Sequence, residues 1–340
     1  MHDDPALLRS MLADARDQDG IYRPGPFWSG YAARIATALE NEGLAGFRSS
    51  AAIGRGYCDV FNDDPAGALG GVPGRLYAAA KAIGVQRPID TAWRGRDRVR
   101  QRQKDRRFTS TLGPWMRSFR ARFDLPDTLV GNPQRRVSFS GEEIGELYLR
   151  DFAWVDDYGK RVDLAAVRSV FEIGGGFGSM AHTVLHLFPN IRKYLYVDIP
   201  PNLYVGTQYL RQFYPDAVLD YEHTRHRARI TFSQNGEREI IALCPWQLER
   251  VEAEFDLFWN STSFQEMTPE IVANYARHIA RLMGRDGAVC LYVYAALPSS
   301  PTLSASQVSR LIEDRTSLHI ATIDAPVASR IVPGWAGLGR

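Results

Sequence analysis

Val170-Phe171-Glu172-Ile173-Gly174-Gly175-Gly176-Phe177-Gly178-Ser179-Met180-Ala181-His182 is the stretch that decides how this chain is read. A short apolar run (Val170, Phe171, Ile173) leads into four glycines within five residues, and a largely apolar segment from Met180 to Phe188 follows. That order predicts a strand, a tight turn and a helix. Glycine permits φ > 0 and lets a ligand reach the backbone where a Cβ would clash. The helix behind the turn presents unpaired N–H groups and a positive dipole end, which suit a carboxylate or phosphate. In doubly wound α/β sheets a βα turn of this kind faces the ligand crevice.

Two cofactor patterns compete for the turn. The dinucleotide pattern G-x-G-x-x-G takes Gly174 and Gly176 and then needs a small residue where Ser179 stands. The pattern E-x-G-x-G-x-G fits without departure through Glu172, Gly174, Gly176 and Gly178. An acid two residues before the first glycine is the habit of S-adenosylmethionine (SAM) sites, where it can sit near the methionyl ammonium that NAD lacks. A ligand-free glycine turn is the bland alternative. Asp198, twenty residues past Gly178, closes the next strand. An acid there accepts hydrogen bonds from adenosine ribose hydroxyls in either cofactor, so it supports adenosine without choosing between them. Ile199 can pack on adenine, and Cys244-Pro245-Trp246 ends the third strand, where the other edge of an adenine lies.

Working outward, the order from about residue 165 is strand, helix, strand, helix, which argues for a parallel sheet covered on both faces. Strands are expected at 169–173, 194–198, 239–243, 255–260, 288–294, 318–323 and 328–332. Helices are expected from Met180, from Pro200 to Phe213, from Thr268-Pro269 to Met283, and near 304–315. Asn235-Gly236 between Arg229–Phe232 and Glu239–Leu243 is a hairpin signal. Upstream, short helices are expected at 5–19, 31–41 and 75–83, with an irregular aromatic stretch from Gly20 to Gly30 and a loop-rich one from Phe47 to Gly74. Gly131-Asn132-Pro133 marks a turn, and Ser140-Gly141-Glu142-Glu143 reads as an N-cap opening a helix to Arg150. The expected fold class is α/β, a Rossmann-like sheet with helices on both faces. The expected domains are a mostly helical region 1–155, a cap that carries acceptor specificity or contacts within a homodimer, and a cofactor domain 156–340.

Composition narrows the function classes. Of 340 residues, 45% are hydrophobic and 24% charged, which suits a globular chain with a real core. A net charge of +2 gives no general reason to expect nucleic acid or an anionic membrane as partner. The basic run Arg94 to Arg107 is interleaved with acids and reads first as a solvated face, second as a contact for a diphosphate. Cys58, Cys244 and Cys290 are odd in number and widely spaced, which suggests neither a disulfide framework nor a zinc knuckle. Met1-His2-Asp3-Asp4-Pro5 has no apolar signal region, and no long apolar run reads as a membrane span. A cytoplasmic setting and no metal are the expectation.

Phe171 to Gly178, then Val197-Asp198-Ile199-Pro200-Pro201-Asn202-Leu203-Tyr204-Val205-Gly206-Thr207-Gln208-Tyr209-Leu210, then Asn260-Ser261-Thr262-Ser263-Phe264-Gln265-Glu266-Met267 resemble the bacterial sugar O-methyltransferases, a branch of the class I SAM-dependent methyltransferases. The resemblance covers about residues 165–295. It implies a SAM site built from Glu172, Gly174, Gly176 and Asp198 and a small sugar or glycosylated acceptor. Asn260, Ser261, Ser263, Gln265 and Glu266 leave the fourth strand at its C-terminal end, where side chains approach the reacting methyl and the acceptor. Glu266 is the first candidate for the base that takes the hydroxyl proton, against the bland reading of a carboxylate leading a helix. His182, four residues past Gly178, is the second, against a packed helix histidine. His223 and His226 have metal-like spacing but no third ligand, and read as solvated loop residues. N- or carboxyl-methylation of a small metabolite, an NAD-linked oxidoreductase and a non-catalytic cofactor-binding subunit stay as alternatives.

Overall fold

The structure is a computed structural model that describes residues 1–50, 52–53, 71–82, 110–293, 303–313 and 319–324. The chain groups into two compact units. One holds Met1–Ala45, Asp124–Pro126 and Arg150–Arg340; the other holds Gly46–Phe123 and Asp127–Leu149. A single cut at 155/156 therefore differs from the observed grouping, because the first 45 residues belong with the sheet.

The larger unit is built on a seven-stranded sheet. Its strands are β3 (Ser169–Ile173), β4 (Lys193–Val197), β5 (Val218–Leu219), β6 (Glu239–Leu243), β7 (Phe255–Ser261), β8 (Met283–Val293) and β9 (His319–Asp324), in the order β5-β6-β4-β3-β7-β8-β9. Every pairing is parallel. Helices α6 (Ser179–Leu187), α7 (Pro200–Phe213), α9 (Pro269–Leu282) and α10 (Ala305–Glu313) connect successive strands. The order reverses at β3, flanked by β4 and β7, which places a crevice at the C-terminal ends of those strands.

Coverage on both faces explains the unbroken apolar runs, such as Tyr194-Leu195-Tyr196-Val197 and Ile240-Ile241-Ala242-Leu243, all buried. One face carries Phe171, Leu195, Ile241, Phe258 and Val289 against Val272, Tyr275, Ile279 and Val308 of α9 and α10. The opposite face carries Trp259 and Tyr292, on which Tyr158 and Trp154 of α5 (Glu146–Tyr158) pack, with Trp154 stacked on Tyr292 at 4.1 Å. Proline in the first turn starts α7 and α9, as its fixed φ favours.

In the smaller unit, β1 (Arg136–Phe139) and β2 (Glu142–Gly145) form an antiparallel hairpin. Arg48 is buried and donates to the carbonyls of Thr128 and Val130, and Arg135 forms a buried two-point pair with Glu146 at 3.0 Å.

Several expectations are corrected. Ser140-Gly141 does not cap a helix. Both residues take φ > 0 (52° and 86°) and make the two-residue turn between β1 and β2, and the helix begins only at Glu146 and runs past Arg150 to Tyr158. Asn235-Gly236 makes a turn but no hairpin. Both edges of β6 are taken by β4 and β5, and Ile230 makes only a single bridge, to Val251. The aromatic stretch before Gly30 is not irregular throughout, because α2 starts at Pro26 and runs to Glu42. A strand at 328–332, Cys58 and the basic run 94–107 lie outside the described residues.

Candidate active site at the strand ends

The glycine turn leaves β3 as expected. Gly174, Gly176 and Gly178 have φ of 76°, 63° and 90°, which side-chain-bearing residues rarely adopt. Two of the glycines are also demanded by neighbouring protein. A Cβ on Gly174 would lie 2.1 Å from Ser263 Oγ, and one on Gly175 would lie 2.4 Å from the Tyr196 ring. The close approach at those two positions is therefore by side chains of this chain. Asp198 ties the turn from below: one carboxylate oxygen accepts the Gly176 N–H at 2.7 Å, the other accepts the Ile199 N–H at 2.7 Å and the Asn202 side-chain amide at 3.2 Å. Burial pushes the Asp198 carboxyl up to about 7 against those lowering bonds. A carboxylate has roughly four acceptor positions, so capacity for a ligand hydroxyl remains.

Glu172 is fully buried on β3. Its Oε2 accepts the Tyr194 hydroxyl at 2.9 Å, while Oε1 has no partner. Burial pushes its carboxyl up to about 8; the Tyr194 bond lowers it, and the charges of Asp151 and Asp198 raise it. A buried carboxylate with one orphan oxygen beneath a glycine turn fits a cationic group such as the ammonium of SAM.

The segment after β7 is shaped by Thr262, a β-branched residue at φ 71°, in a region such side chains avoid. Strain of this kind costs about 1–3 kcal/mol. It turns the chain so that Ser263 reaches the glycine turn. Asn260 donates to Ile173 O at 2.8 Å and to Ser263 Oγ at 2.6 Å, and its Oδ1 accepts the Phe264 N–H at 3.4 Å. Both amide protons of Asn260 are thus engaged in joining the ends of β3 and β7. Ser261 Oγ accepts the Trp259 indole N–H at 2.8 Å, and Gln265 is buried and joined to Leu303 through its backbone and side chain.

Glu266 ends this segment and is half-buried. Its Oε2 accepts the indole N–H of Trp28 at 2.6 Å. Burial raises its carboxyl to about 7; the Trp28 bond lowers it, the charge of Asp198 raises it and that of Arg150 lowers it. The charge of Asp198, at the end of β4, thus reaches Glu266.

Other expected residues are placed differently. His182 is buried between α6 and α7, stacked on Phe213 at 3.7 Å and 3.5 Å from the Tyr209 hydroxyl. That is the packed-helix alternative, and it leaves His182 out of the group gathered at the strand ends. Cys244 is fully buried, burial raises its thiol, and its backbone N–H is held by the Gln247 side chain. Trp246 is half-buried, edge-on to Tyr221 at 6.1 Å. His223 bonds Asp220 at 2.6 Å, and no group that could hold a metal is found among the described residues. No helix among them is long and apolar enough to cross a membrane.

The residues missed by sequence reasoning come from the first 45. Asp4 N–H bonds Tyr204, which follows β4, at 2.7 Å. Asp14 makes a two-point pair with Arg225, beyond β5, at 2.7 and 2.8 Å. Tyr22 donates to Glu249, beyond β6, and Trp28 donates to Glu266, beyond β7. The N-terminal segment is thus tied to four connections that leave C-terminal strand ends. Only the cluster Phe27-Trp28-Tyr31 hinted at this in the sequence.

No protein-family model matches the chain, and neither does any curated protein. Similarity to solved structures is remote. The mitomycin 7-O-methyltransferase MmcR is 19% identical over 42% of this chain and 35% of its own, with a TM-score of 0.30. Human N-acetylserotonin methyltransferase, solved in complex with SAM, is 14% identical over 56% of this chain and 49% of its own, with a TM-score of 0.29. The SAM-dependent methyltransferase SibL, solved in its apo form, is 15% identical over 70% of both chains, with a TM-score of 0.30. The match thus spans about a third and about half of the first two proteins' lengths. Likeness of this degree carries nothing beyond what the chain's own geometry carries.

Proposed function

We propose that this chain is a SAM-dependent methyltransferase acting on a hydroxyl of a sugar or sugar-containing small molecule. The observation that carries the reading is the half-buried Glu266 carboxylate past the end of β7, held by the Trp28 indole N–H, its carboxyl raised by burial to about 7 and acted on by the charge of Asp198. Glu172 would hold the methionyl ammonium through its unpartnered Oε1, and Asp198 would take the ribose hydroxyls. When bound, SAM supplies an electrophilic methyl on a sulfonium. The chain's own task is then to orient the acceptor in line with that methyl and to remove its proton. A hydroxyl is a weak nucleophile until deprotonated, and a base works best when its pKa lies near the working pH, which Glu266 satisfies. The sugar assignment rests on the resemblance of the three quoted motifs.

Calorimetry with SAM and with NAD tests the cofactor. Binding of NAD without SAM would overturn the reading. A panel of sugars, nucleotide sugars and glycosides, followed by mass spectrometry for the gain of one methyl group, tests the acceptor. Methylation confined to amines or carboxyls would replace the hydroxyl assignment.

A further inference from the structure

We infer that Trp28, on a helix far from the motif segments in sequence, is a positioning residue for the Glu266 base. The inference rests on the methyl-transfer reading for its purpose, but not for its geometry. The indole N–H donates to Glu266 Oε2 at 2.6 Å, a short, charge-assisted contact. Two further features make the contact a built one. Gly25, the N-cap of α2, lies against the same segment: a Cβ there would sit 3.6 Å from Glu266 O, 3.9 Å from Met267 Cα and 3.8 Å from Ile271 Cδ1. Trp28 is fixed in turn by its backbone N–H, which donates to Gly25 O at 3.0 Å, and by edge-on packing on Tyr31 at 5.8 Å. The indole therefore approaches the carboxylate from a helix whose first turn is seated on the base's own backbone.

The chemistry follows from what an indole can do. It is a donor only, so it fixes one carboxylate oxygen without competing for the proton. The other oxygen, Oε1, stays available to an acceptor hydroxyl. Hydrogen bonding to the charged form favours that form, so Trp28 opposes the burial that would leave Glu266 protonated. The other charges acting on Glu266 are Asp198, at the end of β4, and Arg150 on α5, and they oppose one another. Trp28 thus fixes the direction of the base and is the largest influence that opposes burial in favouring its ionised form.

The test needs no substrate. In the full chain labelled at tryptophan with 15N, the Trp28 indole resonance is identified by its loss in Trp28→Phe. It should shift with pH with a midpoint near 7, and Glu266→Gln should abolish that titration while keeping the resonance. With glutamate labelled with 13C at the carboxyl, Trp28→Phe should move the Glu266 midpoint upward by about one pH unit, the effect of one charge-assisted bond. A Trp28 resonance that ignores pH, a titration that survives Glu266→Gln, or an unmoved Glu266 midpoint would each overturn the inference. Should Trp28→Phe fail to fold, the Glu266→Gln arm alone decides, with the missing titration identifying the resonance. SAM affinity of the wild type is measured alongside. Its absence would sink the methyl-transfer reading while leaving the Trp28–Glu266 result standing.

Discussion

The glycine turn after β3 and the N-terminal segment meet the same strand ends, but they are specified in opposite ways. The turn is local. Its glycines, the acid before them and Asp198 lie within 27 residues, and each can be recognised from its neighbours in sequence. The N-terminal segment is non-local. Trp28 meets Glu266 across 238 residues, and Tyr22 meets Glu249 across 227. Nothing around Trp28 in the sequence says what its indole will touch. Under the proposed function the turn would serve the cofactor and the distant contact the base.

Substitutions in the turn should give the largest effects. Gly174→Val places a branched side chain at φ 76° and against Ser263, so strain and overpacking together should destabilise the fold by about 2–6 kcal/mol. Chemical denaturation measures this. A valine variant as stable as wild type would show that the Ser263 contact does not govern the turn. Glu266→Gln is the counterpart on the other side. It keeps the shape and removes the base, so kcat should fall by about 10²–10⁴-fold with SAM affinity unchanged within a few-fold. Near-normal turnover would place the base elsewhere and dissolve the division drawn above.

Asp198→Ala sharpens the comparison from the cofactor side. It should weaken SAM binding by about 1–3 kcal/mol, the cost of losing a partner for buried polar groups, and leave binding of ribose-free methionine little changed. Equal losses for both ligands, read by calorimetry, would mean that Asp198 acts only by holding the Gly176 and Ile199 N–H groups.

The remaining test is a pH dependence of the ligand-free protein. Glu172, Asp198 and Glu266 all have carboxyls raised by burial, to about 8, 7 and 7. A raised carboxyl binds its proton more tightly in the folded state, so the native state holds more protons between the ordinary carboxylate range and those values. Stability must then fall as pH rises through that window. Melting temperature followed from pH 5 to 8 should decline from these groups, and Glu172→Gln should flatten the upper part of the decline. An unchanged slope in Glu172→Gln would show that Glu172 ionises normally.

Legibility followed sequence separation. Strand β3, helix α7 and the start of α9 were readable because apolar runs, proline at a first helical turn and glycine at positive φ are properties of adjacent residues. The hairpin at Asn235-Gly236 was misread because the local turn signal is real, with Gly236 at φ 75°, while strand pairing depends on which edges of β6 are free. His182 could be read as catalytic or as packed, and only the placement of Phe213 against its ring separates the two.

By itself the sequence determined the α/β class, the βα turn with its acids Glu172 and Asp198, and the position of Glu266 past a strand end, since these follow from short-range periodicity and backbone conformation. The tertiary structure alone decided that Asn260 and Ser263 clamp the turn, that Glu172 keeps an unpartnered oxygen, and that the first 45 residues bring Trp28 onto Glu266. The physical reason is that burial and side-chain pairing are properties of the surroundings of a residue. Those surroundings are assembled from segments hundreds of positions apart.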